Sequence, residues 1–223
     1  MAGNRRRVAN PLALAILGVL HEQPMHPYQM ATRMRAEGKE RSIRLNYGSL
    51  YTVVGNLARH GLIEAVEAGR EGRRPERTVY RLTDAGAAEF EDWLGELLGT
   101  PVKEYPQFEA ALAEMAVLGP DRVLDLLRRR AAALDGLLAA ERAEVAAYPW
   151  LPRLFMIEAE YHLAMREAEL AWVRRLVAEF EAGAFPLQQE WAQWHKTGEL
   201  PPEVAALMSP EAAPPGPGEE PRS

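Results

Sequence analysis

Residues 46 to 61 read NYGSLYTVVGNLARHG, and the period of this stretch decides how the first half of the chain is organised. Leu50, Val53, Val54 and Leu57 fall at i, i+3, i+4 and i+7. That is the apolar face of a helix running from Asn46 or Tyr47 to His60, with Gly61 as its stop. Ser49, Thr52, Asn56 and Arg59 form a second, polar stripe that faces away from the apolar set, and Tyr47 and Tyr51 flank the first turn. A helix lying in a major groove reaches base edges with short hydrogen-bonding side chains near its N-terminus. The N-terminus itself favours a phosphate, and tyrosine hydroxyls can donate to one. A solvated helix face has a similar composition, so the stripe alone leaves both readings open.

The flanking sequence narrows them. Upstream, Asn10-Pro11 gives an N-cap followed by proline at the first helical position, with Leu12, Ile16, Val19 and Leu20 at helical spacing behind it. His26-Pro27 opens a second helix in the same way, with Tyr28, Met30, Ala31 and Met34 as its apolar members and Gly38 as its stop. Downstream, Leu62–Ala68 and Thr78–Leu82 read as strands around GREGRRPER, residues 69 to 77. This predicts a β-hairpin whose tip carries Arg70, Arg73, Arg74 and Arg77, guanidinium groups suited to phosphate contact or a narrow minor groove. Thr83-Asp84 then caps a fourth helix bearing Phe90, Trp93, Leu94, Leu97 and Leu98. Three helices, a hairpin and a helix make a winged helix-turn-helix over residues 10–99.

The remainder predicts helices over Gln107–Val117, Pro120–Ala147 and Leu151–Ala182, with Tyr148-Pro149-Trp150 between the two long ones, and a short amphipathic segment over Phe185–His195. The last long helix is apolar on two sides: Tyr161, Met165, Ala168, Trp172 and Leu176 on one, Leu163, Leu170, Val173, Val177 and Phe180 on the other. A helix with two apolar stripes needs two partners. One is its own domain. The other is a second subunit, met through Tyr161, Met165, Trp172 and Leu176. The fold class is therefore mainly α with a small β-hairpin: a DNA-binding unit over 10–99, a helical dimerisation domain over 102–197, and a disordered, Pro-, Gly- and Glu-rich tail over 198–223.

Charge is split along the same line. Residues 1–82 hold 14 Lys/Arg against 7 Asp/Glu, whereas residues 83–223 hold 12 against 25. A basic front on an acidic body fits a chain that meets a polyanion, double-stranded DNA, with its front alone. There is no cysteine, which excludes disulfides, thiolate metal sites and a cysteine nucleophile and fits a cytoplasmic protein. The apolar run Pro11–Leu20 is too short to span a membrane and reads as a core helix.

No catalytic or metal site is expected, and no cofactor. His21-Glu22 and His26 miss H-E-x-x-H by one residue and enclose Pro24, and Glu158/His162 lacks the further carboxylate of a di-iron motif. The aromatic residues Tyr148, Trp150, Phe155, Tyr161, Trp172, Trp191 and Trp194 suit core and interface packing. They equally suit a pocket for a small aromatic or apolar effector. A reading from another class keeps the winged helix as a protein-docking module without specific DNA binding; four arginines at the hairpin tip count against it.

The segments HPYQM (26–30), GSLY (48–51), LARHGLI (57–63), GRRP (72–75) and VYRLTDAG (79–86) resemble the PadR (phenolic-acid-decarboxylase regulator) family over residues 10 to 98. The helical remainder resembles its longer subclass by pattern. After GSLY the family often has a proline and a Leu-Glu pair, where this chain has TVVGNLAR. The resemblance implies a homodimer that usually represses transcription from a palindromic operator and is often released by a small molecule. It points to Tyr28, the turn Tyr47–Tyr51, Thr52, Arg73 and Arg74 as DNA contacts. Ser49, Asn56 and Arg77 join them from the reading of the stripe and the hairpin.

Overall fold

Short polar side chains set the helix starts of the first half. In the computed structural model, which describes residues 8, 10–66, 78–200, 202 and 205, the Asn10 side chain accepts from the Leu12 N–H at 2.8 Å and opens α1 (Pro11–Glu22). His26 opens α2 (Pro27–Ala36) with a reciprocal box: its ring nitrogen accepts from the Tyr28 N–H, and its own N–H donates to Gln29. Asn46 caps α3 (Tyr47–Arg59) by accepting from the Ser49 N–H at 2.7 Å. Thr83 does the same for α4 (Asp84–Gly99) through the Gly86 N–H. Each cap satisfies a donor that the helix itself cannot.

Strands β1 (Ile63–Val66) and β2 (Val79–Leu82) pair antiparallel with Ile63 opposite Leu82, and Met25 adds a rung by exchanging both backbone hydrogen bonds with Tyr80. Residues 67–77, with Arg70, Arg73, Arg74 and Arg77, lie outside the described residues. The core is centred on α1, whose Leu12, Ile16, Leu17, Val19 and Leu20 are all buried, together with Met30, Met34, Leu50, Val54, Leu57, Ile63 and Trp93. Leu97 and Leu98, expected among the apolar members of α4, are exposed, because they lie beyond the turn that reaches this core.

The chain divides into two compact units, Met1–Glu104 and Tyr105–Ser223. The second contains α5 (Gln107–Ala113), α6 (Pro120–Ala146), α7 (Ile157–Glu181) and α8 (Gln188–Thr197). Three boundaries differ from the sequence reading. α5 ends early, in a tight turn at Met115–Val117. α7 starts at Ile157, because residues 151–156 are spent on a turn around Pro152. α8 starts only after Leu187, which adopts φ 60°. From residue 201 on, only 202 and 205 are described.

α6 and α7 form an antiparallel pair with Val123, Leu127, Leu134 and Leu138 against Leu170, Val173, Leu176 and Phe180. A ladder of exposed ion pairs runs beside this seam: Arg128–Glu181 at 2.7 Å, Asp135–Arg174, and Arg142–Glu167 at 2.5 Å. Successive rungs step seven residues up α6 and seven down α7, the heptad repeat of a coiled coil. The signs alternate along each helix. A slip of one heptad would set Arg128 against Arg174 and Asp135 against Glu167, like against like.

Two outcomes follow from this packing. A β-carbon at Gly86 would lie 1.9 Å from the Leu62 carbonyl oxygen. Gly86→Ala is expected to cost about 1–3 kcal/mol by calorimetry, while Gly95→Ala, which meets nothing, leaves the first unit as stable or more so. In the ladder, Asp135→Arg should cost roughly 0.5–1 kcal/mol, and adding Arg174→Asp should restore the midpoint. Two additive losses would refute the pairing.

Candidate nucleic-acid interface

A straight helix advances about 100° per residue, so the burial of Leu50, Val53, Val54 and Leu57 fixes what α3 presents outward. The line directly opposite that set is Gly48, Thr52, Gly55 and Arg59, all exposed. Ser49 and Asn56, read from the sequence as part of the outermost stripe, are half-buried on one flank. Tyr51 lies on the other flank, 51% exposed. The sequence reading passes over the two glycines because they carry no side chain that bonds. A helical wheel centred on the apolar face would have shown them. Their effect is geometric: next to Thr52, the outer surface of α3 is bare backbone, and a β-carbon at Gly55 would meet nothing within 4 Å.

The polar groups of this face are held in place. Thr52 Oγ1 donates to the Gly48 carbonyl at 3.0 Å, which leaves its methyl and its lone pairs directed outward. Arg59 Nη1 donates to Asn56 Oδ1 at 2.9 Å, which uses one of that oxygen's two lone pairs and leaves the NH₂ to donate elsewhere. With Asn46 capping Ser49, the N–H groups of Tyr47 and Gly48 remain at the positive end of the helix.

Tyr28 and Tyr47 come together across the α2–α3 turn. Tyr28, one of the expected apolar members of α2, is 55% exposed because it sits in the first turn on the side away from Met30 and Met34. Its ring stacks on Tyr47 with centroids 6.0 Å apart and planes 8° from parallel. Arg35, which the sequence reading left out, donates from Nη1 to Tyr47 Oη at 2.7 Å and from Nε to Glu40 Oε1 at 2.9 Å. Its guanidinium carbon lies 4.9 Å from the centre of the Tyr47 ring. The bond to Tyr47, then that to Glu40, raises the Arg35 pKa above its already high ordinary value.

The described part of the hairpin shows how the wing is anchored. Thr83 Oγ1 donates to the carbonyls of Gly61 and Leu62, and Arg81 pairs with Glu64 across the strands at 2.6 Å. Arg73, Arg74 and Arg77 belong to the segment outside the described residues.

In the second unit, Tyr161, Met165 and Trp172 are exposed on one face of α7, at 68%, 53% and 40%. Leu176, grouped with them by spacing, is instead 8% exposed and packs into the unit's own core. It sits one turn nearer the end of α7 that meets α8, where the apolar seam broadens. His162 lies 3.4 Å from Glu141 and 2.5 Å from Arg166, on the polar side of the helix pair. The groove of about 260 Å³ along α6 and α7 is lined by Asp135, Arg142, Glu167 and Arg174 beside Leu138, Leu170 and Ala171, so it is charged rather than aromatic. Among the described residues no group of three or more His, Asp or Glu side chains could hold a metal ion, and no helix is long and apolar enough to cross a membrane.

Residues 16–92 match the family model of PadR-like transcriptional regulators. No curated protein matches the chain. Among solved structures, Bacillus subtilis PadR in complex with operator DNA is 19% identical, with a TM-score of 0.59 over 77% of this chain and 99% of that one. The same bacterium's PadR in complex with p-coumaric acid is 17% identical, with a TM-score of 0.62 over 76% and 98%. The virulence activator AphA of Vibrio cholerae is 21% identical, with a TM-score of 0.59 over 78% and 99%. At these identities the likeness is one of fold: a winged helix-turn-helix followed by a helical unit.

Proposed function

We propose that this chain, whose residues 16–92 match the model of the PadR-like family of transcriptional regulators, binds DNA in a sequence-specific manner as a homodimer, with one α3 per half-site of a palindromic operator, and represses by occupying it. The observation that carries the reading is the outer surface of α3. Gly48 and Gly55 leave two of the four positions on its outermost line without side chains, so the backbone can approach a groove floor, while Thr52 and Arg59 on that line and Asn56 on its flank are the groups offered to base edges. The basic first 82 residues supply the attraction to phosphate, and the hairpin arginines Arg73, Arg74 and Arg77 are assigned to the flanking backbone.

The second subunit is assigned to the exposed face of α7, through Tyr161, Met165 and Trp172. Three large apolar side chains on one helix face are costly to leave in water and are removed from it by a two-fold contact. A small aromatic or apolar effector that releases the operator completes the reading. Its support is the set of exposed aromatic side chains Tyr148, Trp150, Phe155 and Tyr161, and the p-coumaric acid bound by the Bacillus subtilis neighbour.

The test is a titration against the chain's own promoter region and an unrelated duplex at two salt concentrations. Tighter binding to the promoter, weakening as salt rises, is the expected result. Gly55→Leu should leave the fold as stable or more stable by up to about 1 kcal/mol, because leucine is the better helix former. It should also weaken promoter binding, since a side chain now stands between helix and groove. Unchanged affinity would remove this face of α3 from the interface. For the dimer, light scattering should return the mass of two chains, and Tyr161→Glu combined with Met165→Glu the mass of one.

A further inference from the structure

We propose that Arg35 is a positioning residue for DNA binding: it holds Tyr47 so that the Tyr47 hydroxyl donates its hydrogen to a backbone phosphate, with the ring of Tyr28 as the backing surface. The proposal rests on the reading of α3 as the DNA-contacting helix and gives that reading a specific phosphate contact.

The geometry assigns the direction of each bond. A guanidinium is donor-only, so in the 2.7 Å contact between Arg35 Nη1 and Tyr47 Oη the phenol oxygen accepts. Its own hydrogen must go elsewhere, and no protein acceptor among the described residues takes it. In the free protein it goes to water. Against DNA, the acceptor available at the N-terminal end of α3 is a phosphate oxygen, drawn there by the N–H groups of Tyr47 and Gly48. A hydroxyl that accepts from a cation is polarised and becomes a stronger donor.

Three contacts stop the ring from swinging away: the Arg35 hydrogen bond, the guanidinium lying 4.9 Å from the ring centre, and the Tyr28 ring stacked 8° from parallel. Arg35 is itself held by Glu40, in the turn Lys39–Arg41 that follows Gly38 at φ 71°. That carboxylate offsets much of the Arg35 charge, so Arg35 acts through Tyr47 and not as a phosphate ligand in its own right. Tyr47 remains 40% exposed and open to a ligand.

The two roles for Arg35 give different numbers. The probes are a duplex carrying the chain's promoter region and an unrelated duplex, each titrated over a range of salt with the full-length protein. Tyr47→Phe should weaken binding to both duplexes alike, by about 10- to 100-fold, the size of a hydrogen bond to a charged group. Arg35→Met should weaken both by a smaller or similar factor without changing the salt slope. The double variant should be no weaker than Tyr47→Phe alone, and Arg35→Gln, which keeps a donor without the charge, should recover part of the loss. All are surface substitutions, and an unchanged calorimetric midpoint verifies the fold.

Additive losses, or a slope flattened by about 0.9 in Arg35→Met, would make Arg35 a direct phosphate contact and overturn the proposal. Full affinity in Tyr47→Phe would overturn it too. If Arg73→Ala with Arg74→Ala still flattens the slope in that case, the DNA-binding reading stands without it. A wild-type protein that binds neither duplex at low salt would remove the DNA-binding reading and this proposal together.

Discussion

The first unit is tied at one atom, the carbonyl oxygen of Leu62. It accepts from the Thr83 N–H at 3.1 Å and from Thr83 Oγ1 at 3.0 Å, and Gly86 is packed so close that a β-carbon there would overlap it. Leu62 closes the end of α3, begins β1, and through Thr83 meets the start of α4. It also donates its own N–H to Leu57, the bond that with Gly61 at φ 71° terminates α3. The end of the candidate reading helix, the base of the wing and the start of the next helix thus share one junction. The rotation of α3 about its axis, and so the choice of residues that face outward, follows from that tie and from the burial of Leu50, Val53, Val54 and Leu57.

Much of this could be read from residue types. Asn10, His26, Asn46 and Thr83 announce their helices because a cap needs a short acceptor at one defined position, and Gly38 and Gly61 mark stops because they adopt positive φ. The two strands could be read from their apolar and β-branched residues, although burial along them does not alternate. What could not be read was set by tertiary geometry. Leu176 and Tyr161 share a stripe by spacing, yet one is buried within the unit and the other exposed, because fifteen residues along α7 the stripe has turned toward the buried Val173 and Phe180. Arg35 carried no local signal, being one of several arginines in a basic stretch. Its role depends on a turn that brings a residue twelve positions away within 2.7 Å.

The second unit solves a different problem. Its two long helices could pair in several registers, since leucines and valines repeat along both and apolar packing distinguishes heptad slips poorly. Exposed ion pairs add little stability each, but the alternating ladder from Arg128 to Arg142 penalises every one-heptad slip with like charges. The apolar seam therefore supplies the association and the charges select among its registers. With the register fixed, Tyr161, Met165 and Trp172 stand on one line of α7, which is the requirement for a self-complementary contact.

The bonds that hold the α3 face before any ligand arrives differ in what DNA would do to them. The Arg35–Tyr47 bond uses the phenol oxygen as acceptor and leaves its hydrogen for a phosphate, so contact adds a bond and breaks none. The Thr52–Gly48 bond likewise leaves the threonine methyl and lone pairs outward. The Arg59–Asn56 bond takes one of the two lone pairs of Oδ1, the atom an asparagine uses, together with its NH₂, to pair with adenine. The second lone pair and the NH₂ stay open to a base, in the orientation that the Arg59 bond imposes. On the proposed reading Tyr47 and Thr52 are preorganised contacts, and preorganisation lowers the cost of binding whatever the sequence. Asn56, held by Arg59, would on that reading gain a bond only where the right base is present. On the proposed reading, discrimination between sequences would fall to the Asn56–Arg59 pair, and general grip to Tyr28, Arg35 and Tyr47.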